Sequence, residues 1–308
     1  MSRSRSARAN RAGHGRKGAS IAASEVSNKQ RPEAPEPLPA TAVDSHCHLD
    51  IIAGSLAEDG FPGVDVDGEL KAAATVGITR VVQVGVDVAS SRWSADLAAR
   101  RPDVLAMVAI HPNEAGVGAA TNEALAEIDR LAAQPGVRGI GETGLDHFRT
   151  QTDGWATQEE SFRAHIDIAK RRGIALMIHT RDAYEDMLRV LDEEGAPENT
   201  VLHCYSSDAE MARRCLDRGL VLSFSGTVTF ANARAAAQAA AITPIDQMLV
   251  ETDAPFLTPS PFRGRPNAPY LTPYTIRALA DLTGTDLATL CEQLTATAER
   301  VFGPWPFP

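Results

Sequence analysis

The stretch VDSHCHLD, residues 43–50, closes an apolar run and sets two histidines between two aspartates in a chain with only eight histidines. A strand puts every second side chain on the same face. His46 and His48 therefore point together, and Cys47 points away. Two imidazoles on one face make half of a tetrahedral or octahedral metal site. The same pair also reads as two separately hydrogen-bonded histidines at a strand end, so the rest of the chain decides.

From residue 43 onward, short Val/Ile/Leu-rich runs alternate with helical patterns. After AVDSHCHLD (42–50) come ITRVVQVGV (78–86), VLAMVAIHP (104–112), VRGIGET (137–143), IALMIHT (174–180), TVLHCYS (200–206), LVLSFSG (220–226) and QMLVETD (247–253). Nearly continuous apolar runs suit parallel strands buried on both faces. Helical patterns fall at 155–172, 182–194, 207–218 and 231–241, and two more follow at 272–283 and 285–301. In the first of these Phe162, Ile166 and Ala169 form an apolar stripe. Gly173 and Gly219 stand where helices end before strands. This succession predicts an α/β chain folded as a single (β/α)8 TIM barrel over residues 43–308. A doubly wound open sheet is the competing topology, but no G-x-G-x-x-G or P-loop pattern opens a helix.

Residues 1–42 are basic, with Arg3, Arg5, Arg8, Arg11, Arg16, Lys17, Lys29 and Arg31 against Glu25, Glu33 and Glu36, and Pro-rich towards their end. Without periodic apolar positions they read as a disordered tail, and without an apolar h-region they are no secretory signal. The chain as a whole carries a net charge of −10, so the remainder is more acidic still. A body of that charge is not a general duplex-coating protein. A polyanionic substrate must be held locally, by metal ions and a few arginines. The four cysteines, Cys47, Cys204, Cys215 and Cys291, lack disulfide or zinc-ribbon spacing and read as reduced thiols. No apolar run approaches a membrane span. A cytoplasmic monomer is expected.

In a barrel all strand C-termini gather at one mouth, where chemistry occurs. The first run ends in His46 and His48, the fourth in Glu142, the fifth in His179, the sixth in His203 and the eighth in Asp253. Six metal-type side chains from five strands would thus meet in one cavity. That is too many for one small ion and suits two sharing a bridge. His46, His48, Asp253 and Glu142 are assigned to one ion, and Glu142, His179 and His203 to the other. Mixed nitrogen and oxygen ligation fits Zn²⁺, Mn²⁺ or Mg²⁺. Two such ions can activate a bridging water for in-line displacement at phosphorus, with Asp253 as the base.

Residues 43–303 resemble the TatD family of metal-dependent hydrolases, within the amidohydrolase-like barrels. The matching stretches are DSHCHLD, AIHPNE (109–114), IGETGLDHFR (140–149), the Gln158/Phe162/His165/Ala169 helix pattern, IHTRDA (178–183), HCYS (203–206), SFSGTVTF (223–230), ETDAPFLTP (251–259) and FRGRPNAPY (262–270). The resemblance implies a deoxyribonuclease acting on DNA strand ends, a 3′-to-5′ exonuclease using divalent metal. It carries the family ligands onto the same six residues. Tyr205, Ser206 and Ser207 stand where the family usually has Phe-Ser-Gly, and Thr297 where it often has Asn.

Arg181, two past His179, is expected to grip a phosphate; the alternative is an ion pair with Asp182 or Asp186. Arg263 and Arg265 flank Gly264 in a Pro-rich loop and could hold a nucleic acid backbone, or be an exposed basic loop, with Asn267 orienting it. Tyr205 shares the inward direction of His203 and is expected to stack on a base, or else to pack at the mouth. Cys204 turns outward into the core. His111 reads either as a hydrogen-bond partner of a ligand or as a loop cap; His147 as a surface residue or substrate contact; His165 as a packed histidine. Two other functions compete. One is ester or amide hydrolysis by the same barrel, as in an aminoacyl-tRNA deacylase, and the other is a scaffold on a dead barrel, against which the complete ligand set argues.

Overall fold

The computed structural model describes residues 31–58 and 65–305. The strands are β1 Ala42–Cys47, β2 Ile78–Val84, β3 Val104–Val108, β4 Val137–Asp146, β5 Ala175–Arg181, β6 Thr200–Leu202, β7 Val221–Phe224 and β8 Met248–Val250. They form one eight-stranded sheet in the order β1 to β8, every neighbouring pair parallel. Sequential order without reversal makes this the (β/α)8 barrel and excludes the doubly wound sheet. Helices α1 Leu49–Glu58, α2 Val66–Thr75, α3 Val88–Ala98, α4 Pro112–Gly116, α5 Asn122–Leu131, α6 Trp155–Arg172, α7 Tyr184–Glu194, α8 Ala209–Leu216, α9 Arg234–Ile242, α10 Thr272–Thr283 and α11 Leu287–Phe302 accompany the strands. The expected stripe on α6 is buried, and Gly173 caps that helix in the left-handed region, φ 64°.

One apolar cluster joins Val43, Val82, Val84, Leu105, Met107, Met177, Val201, Val221 and Leu249, drawn from seven of the strands. Strand β4 adds no side chain to it. A Cβ on Gly139 would lie 2.5 Å from Met107 Cε, and one on Gly141 2.6 Å from Met177 Cβ, so two methionines occupy that space. Val301 and Phe302 of α11, with Trp305, complete the cluster; Trp305 lies beneath Arg80 near the start of β2. That leaves the opposite end of the barrel open for a site.

Closure between β1 and β8 rests on a latch rather than a ladder. The buried Asp44 carboxylate accepts from Thr252 N at 2.9 Å, Thr252 Oγ1 at 2.5 Å and His46 N at 3.3 Å. Asp253 N then donates to His46 O, and His48 N to Ala254 O, both at 2.9 Å. Burial lifts the Asp44 pKa to about 7 against the Thr252 hydrogen bonds. Asp50, the second aspartate of the opening stretch, accepts from Gln83 Nε2 at 2.9 Å, while Gln83 Oε1 accepts from Leu49 N at 2.6 Å.

Composition sets the tail boundary at residue 42, but residues 31–41 lie against the barrel. The Arg31 guanidinium pairs with Glu69 of α2, Tyr270 Oη donates to Pro32 O at 2.7 Å, and Arg277 Nη2 to Glu36 O at 2.9 Å. Leu38 is buried in the outer core. The segment is held mainly through its backbone carbonyls, which leave no mark in composition. The remainder of the expected tail, 1–30, lies outside the described residues. Among the described residues no helix is long and apolar enough to cross a membrane.

Candidate metal centre

The six residues named from the strand ends meet at one mouth. His46 Nε2 lies 3.2 Å from His48 Nε2, and Asp253 Oδ1 lies 3.6 and 3.4 Å from those two nitrogens. His179 Nδ1 lies 3.2 Å from His203 Nε2. Glu142 sits between the pairs. Its Oε1 faces His46 and His48 at 3.7 and 3.5 Å, and its Oε2 faces His203 and His179 at 2.9 and 3.3 Å. All six are buried or nearly so.

The outer nitrogens fix what the inner ones can do. His48 Nδ1 donates to Val84 O at 3.0 Å, and His46 Nδ1 to the Met177 thioether at 3.0 Å. His179 Nε2 donates to Asp146 Oδ2, and His203 Nδ1 to Glu251 Oε1, both at 3.2 Å. None of these acceptors can donate, so each neutral ring carries its proton outward and turns a lone pair inward. Lone pairs facing each other at 3.2 Å repel unless a cation lies between them. Among the described residues every ion-pair partner of Glu142, Asp253, Asp146 and Glu251 is a histidine, and no Lys or Arg neutralises them. The donor set therefore fits divalent cations with mixed nitrogen and oxygen ligation.

Where no cation lies between them, the carboxylates favour protons on the inner nitrogens of His48, His179 and His203 instead. Burial opposes charge on His203, yet the Glu142 and Glu251 carboxylates override it and hold its pKa well above the ordinary value. Burial likewise opposes charge on His48, and the hydrogen bond to Asp253 with the nearby carboxylates lifts it to about 9. Glu142 is held well below the carboxylate range by the surrounding imidazoles in spite of its burial. The pocket draws positive charge.

His111 differs. It caps α4, its Nδ1 accepting from Asn113 N at 3.1 Å, so its proton sits on Nε2, 3.7 Å from Glu142 Oε2. Burial depresses its pKa to about 3 and keeps it neutral. It presents an N–H to the site, and is therefore a cap and a neighbour of Glu142 at once rather than a lone-pair donor. His165 is packed as expected: its Nε2 accepts from Ile110 N at 3.0 Å and its Nδ1 donates to Ser161 O at 2.7 Å, which holds the turn before His111.

Asp146 and Glu251 were missed by strand-end reasoning. Both had a signal, since each stands an even number of residues from a predicted ligand, Glu142 and Asp253. Tyr205 corrects an expectation. It is 1% exposed, its ring packed edge-on against Tyr184 and Phe224 and its hydroxyl donating to Asp208 O at 2.8 Å, so it has no face for a base. β6 ends at Leu202 and Cys204 takes φ +47°, which breaks the alternation used to aim Tyr205. The Cys204 thiol is half-buried beside Ser225 Oγ at 3.2 Å.

The Arg181 guanidinium lies 3.8 Å from the centroid of the Phe148 ring, and Phe148 is 59% exposed. Arg263 lies 4.5 Å over Phe230, and Arg265 5.4 Å over Phe262. Asn267 Nδ2 does orient that loop, donating to Thr252 O at 2.9 Å and Phe256 O at 2.6 Å. His147 stacks on Trp155 at 3.8 Å, with Asp186 3.9 Å from its Nδ1. Thr297 is buried in α11, away from the donor set.

The family model described as TatD related DNase matches residues 43–303. A Mycobacterium tuberculosis protein described as the uncharacterized metal-dependent hydrolase TatD is 46% identical over 265 residues, 85% of this chain and 97% of its own. The Escherichia coli K12 uncharacterized metal-dependent hydrolase YcfH is 37% identical over 262 residues, 84% of this chain and 95% of its own. Among solved structures, the E. coli TatD homologue YJJV superposes with a TM-score of 0.78 at 22% identity, covering 85% of this chain and 98% of its own, a likeness of fold. The chain belongs to the TatD related DNase family.

Proposed function

We propose that this metal-dependent hydrolase is a deoxyribonuclease that removes nucleotides from DNA strand ends in the 3′-to-5′ direction. One observation carries the reading: four imidazole lone pairs and two carboxylates converge at the barrel mouth, with one Glu142 oxygen turned to each histidine pair. Two divalent ions, Mg²⁺, Mn²⁺ or Zn²⁺, would be held there, one by His46, His48 and Asp253 with Glu142, the other by Glu142, His179 and His203. Bound metal supplies Lewis acidity and brings the pKa of water towards neutrality.

The chain's own residues do the rest. Asp253, held as a carboxylate in spite of its burial by the imidazoles around it, takes the proton of the attacking water. As the water oxygen bonds to phosphorus, the bond to the 3′ oxygen breaks, and Asp253 returns the proton to that oxygen. Val84 O, Met177, Asp146 and Glu251 keep the rings aimed. Arg181 and Arg263 contact the strand at the mouth; among the described residues neither pairs with a carboxylate, whereas Arg163, Arg189, Arg214 and Arg218 all do. The four free thiols support a reducing, cytoplasmic setting, and the reading requires only one copy of the chain.

The test is digestion of end-labelled single-stranded DNA with Mg²⁺, Mn²⁺ or EDTA, beside ester, amide and aminoacyl-tRNA panels. Glu142→Ala and Asp253→Asn should each lower DNA turnover by at least about a hundredfold while leaving the protein folded. Wild-type digestion rates in either variant, or ester or amide turnover exceeding DNA turnover, refute the reading.

A further inference from the structure

Beside the metal centre lies a cavity of about 190 Å³ lined by Phe230, Phe256, Leu257, Thr258, Arg263 and Arg265. It is smaller than the roughly 300–1,000 Å³ of pockets for drug-sized ligands and suits one planar heterocycle. Phe256 links it to the reaction centre, its ring 6.3 Å from the His48 ring and edge-on to it. Phe230 lines the cavity and carries the Arg263 guanidinium at 4.5 Å. We propose that this cavity is a nucleobase subsite, holding the base of the nucleotide whose phosphate lies at the metal centre.

Three features favour a base over other occupants. Phe230 and Phe256 supply aromatic surface, which any base can use for stacking, and the guanidinium of Arg263 is itself a planar stacking group. Arg263 and Arg265 meet no carboxylate among the described residues, so their charge is open to a phosphodiester. The walls are also built in advance. Asn267 fixes Thr252 O and Phe256 O, Thr258 Oγ1 donates to Arg265 O, and Ser260 N donates to Thr229 Oγ1 at 2.8 Å. A loop tied at these points keeps its shape without a ligand, which limits the entropy lost on binding.

The inference rests on the nuclease reading but is tested by binding. Purified full-length protein in magnesium buffer is titrated calorimetrically with dAMP and with 2-deoxyribose 5-phosphate. The base should tighten binding by about 5- to 100-fold, the range of base–aromatic stacking. Phe230→Leu should remove most of that preference while leaving sugar phosphate affinity within about twofold, and Phe230→Tyr should retain it. Equal affinity of the wild type for the two ligands overturns the subsite, and so does an undiminished preference in a folded Phe230→Leu protein. If the preference is present but DNA is not degraded, the nuclease reading fails and the subsite stands.

Discussion

Glu251→Gln isolates the outer support of the metal centre. Glu251 is fully buried; its Oε1 accepts from His203 Nδ1 at 3.2 Å and its Oε2 from Ser223 Oγ at 2.6 Å. Glutamine keeps the shape and, with its oxygen towards Ser223, keeps that hydrogen bond. Its amide nitrogen then faces His203 Nδ1, and two donors oppose each other. His203 must move its proton to Nε2, the nitrogen turned towards Glu142 at 2.9 Å, and so loses the inward lone pair. Replacing a charged acceptor by a neutral one at a buried imidazole costs about 1.5–3 kcal/mol. Loss of an outer partner of a metal-bound histidine typically lowers affinity or activity by about 10–100-fold, or roughly 1.4–2.7 kcal/mol. The two routes to the magnitude agree.

The measurement is Mn²⁺ binding by calorimetry with DNA turnover at saturating metal, and circular dichroism to confirm the fold. Weaker binding should be confined to one of the two proposed metal sites, because His46 and His48 are held by Met177 and Val84 instead. Wild-type affinity and turnover in Glu251→Gln would show that the proton position on His203 does not matter, and the lone-pair account of the site would fall with it.

Asp44→Ala opens the latch between β1 and β8, leaving the buried Thr252 N–H and hydroxyl without their acceptor; urea unfolding should show a loss of about 2–4 kcal/mol. A Cβ on Gly144 would lie 2.2 Å from His179 O at φ +132°, so Gly144→Ala should destabilise by at least about 2 kcal/mol and depress turnover by displacing His179. Gly173→Ala is its control: φ is +64° with nothing within 4 Å, so a cost of about 1 kcal/mol should come with unchanged turnover. Arg181→Ala should weaken single-stranded DNA binding and lower the slope of log affinity against log salt by about one, measured by anisotropy across a salt series. Divalent metal at a hundred times its Kd should stabilise the fold by about 2.7 kcal/mol, seen as a rise in Tm that EDTA reverses.

Much of the site was legible because parallel barrel strands end at one rim, so any ligand-type side chain at the end of an apolar run is brought to the same place. His46, Glu142 and His179 stand on strands, where period-two reasoning holds, and His48 is the first residue past β1. His203 and Asp253 lie just beyond β6 and β8 and still reach the rim. The same extrapolation failed at Tyr205, one residue past the positive φ of Cys204. Strand β4 differs in length: the predicted fourth run stops at residue 143, whereas β4 continues to Asp146, because the missing side chain of Gly144 lets it lie against His179 O.

The unread half of the site follows a rule of proton accounting. A histidine that offers a lone pair to a metal must give its other N–H to something that only accepts. Four such histidines need four acceptors, and apolar periodicity is blind to them because one is a backbone carbonyl and one is a methionine sulfur. Met177 shows how far the requirement reaches. Glycines at 139 and 141 vacate the space that Met107 and Met177 fill, and the Met177 sulfur then meets His46 Nδ1 at 3.0 Å. The glycines of VRGIGET are thus metal-site residues at one remove, and an alanine at 141 would reach the centre by pushing Met177 against His46 before touching any ligand itself.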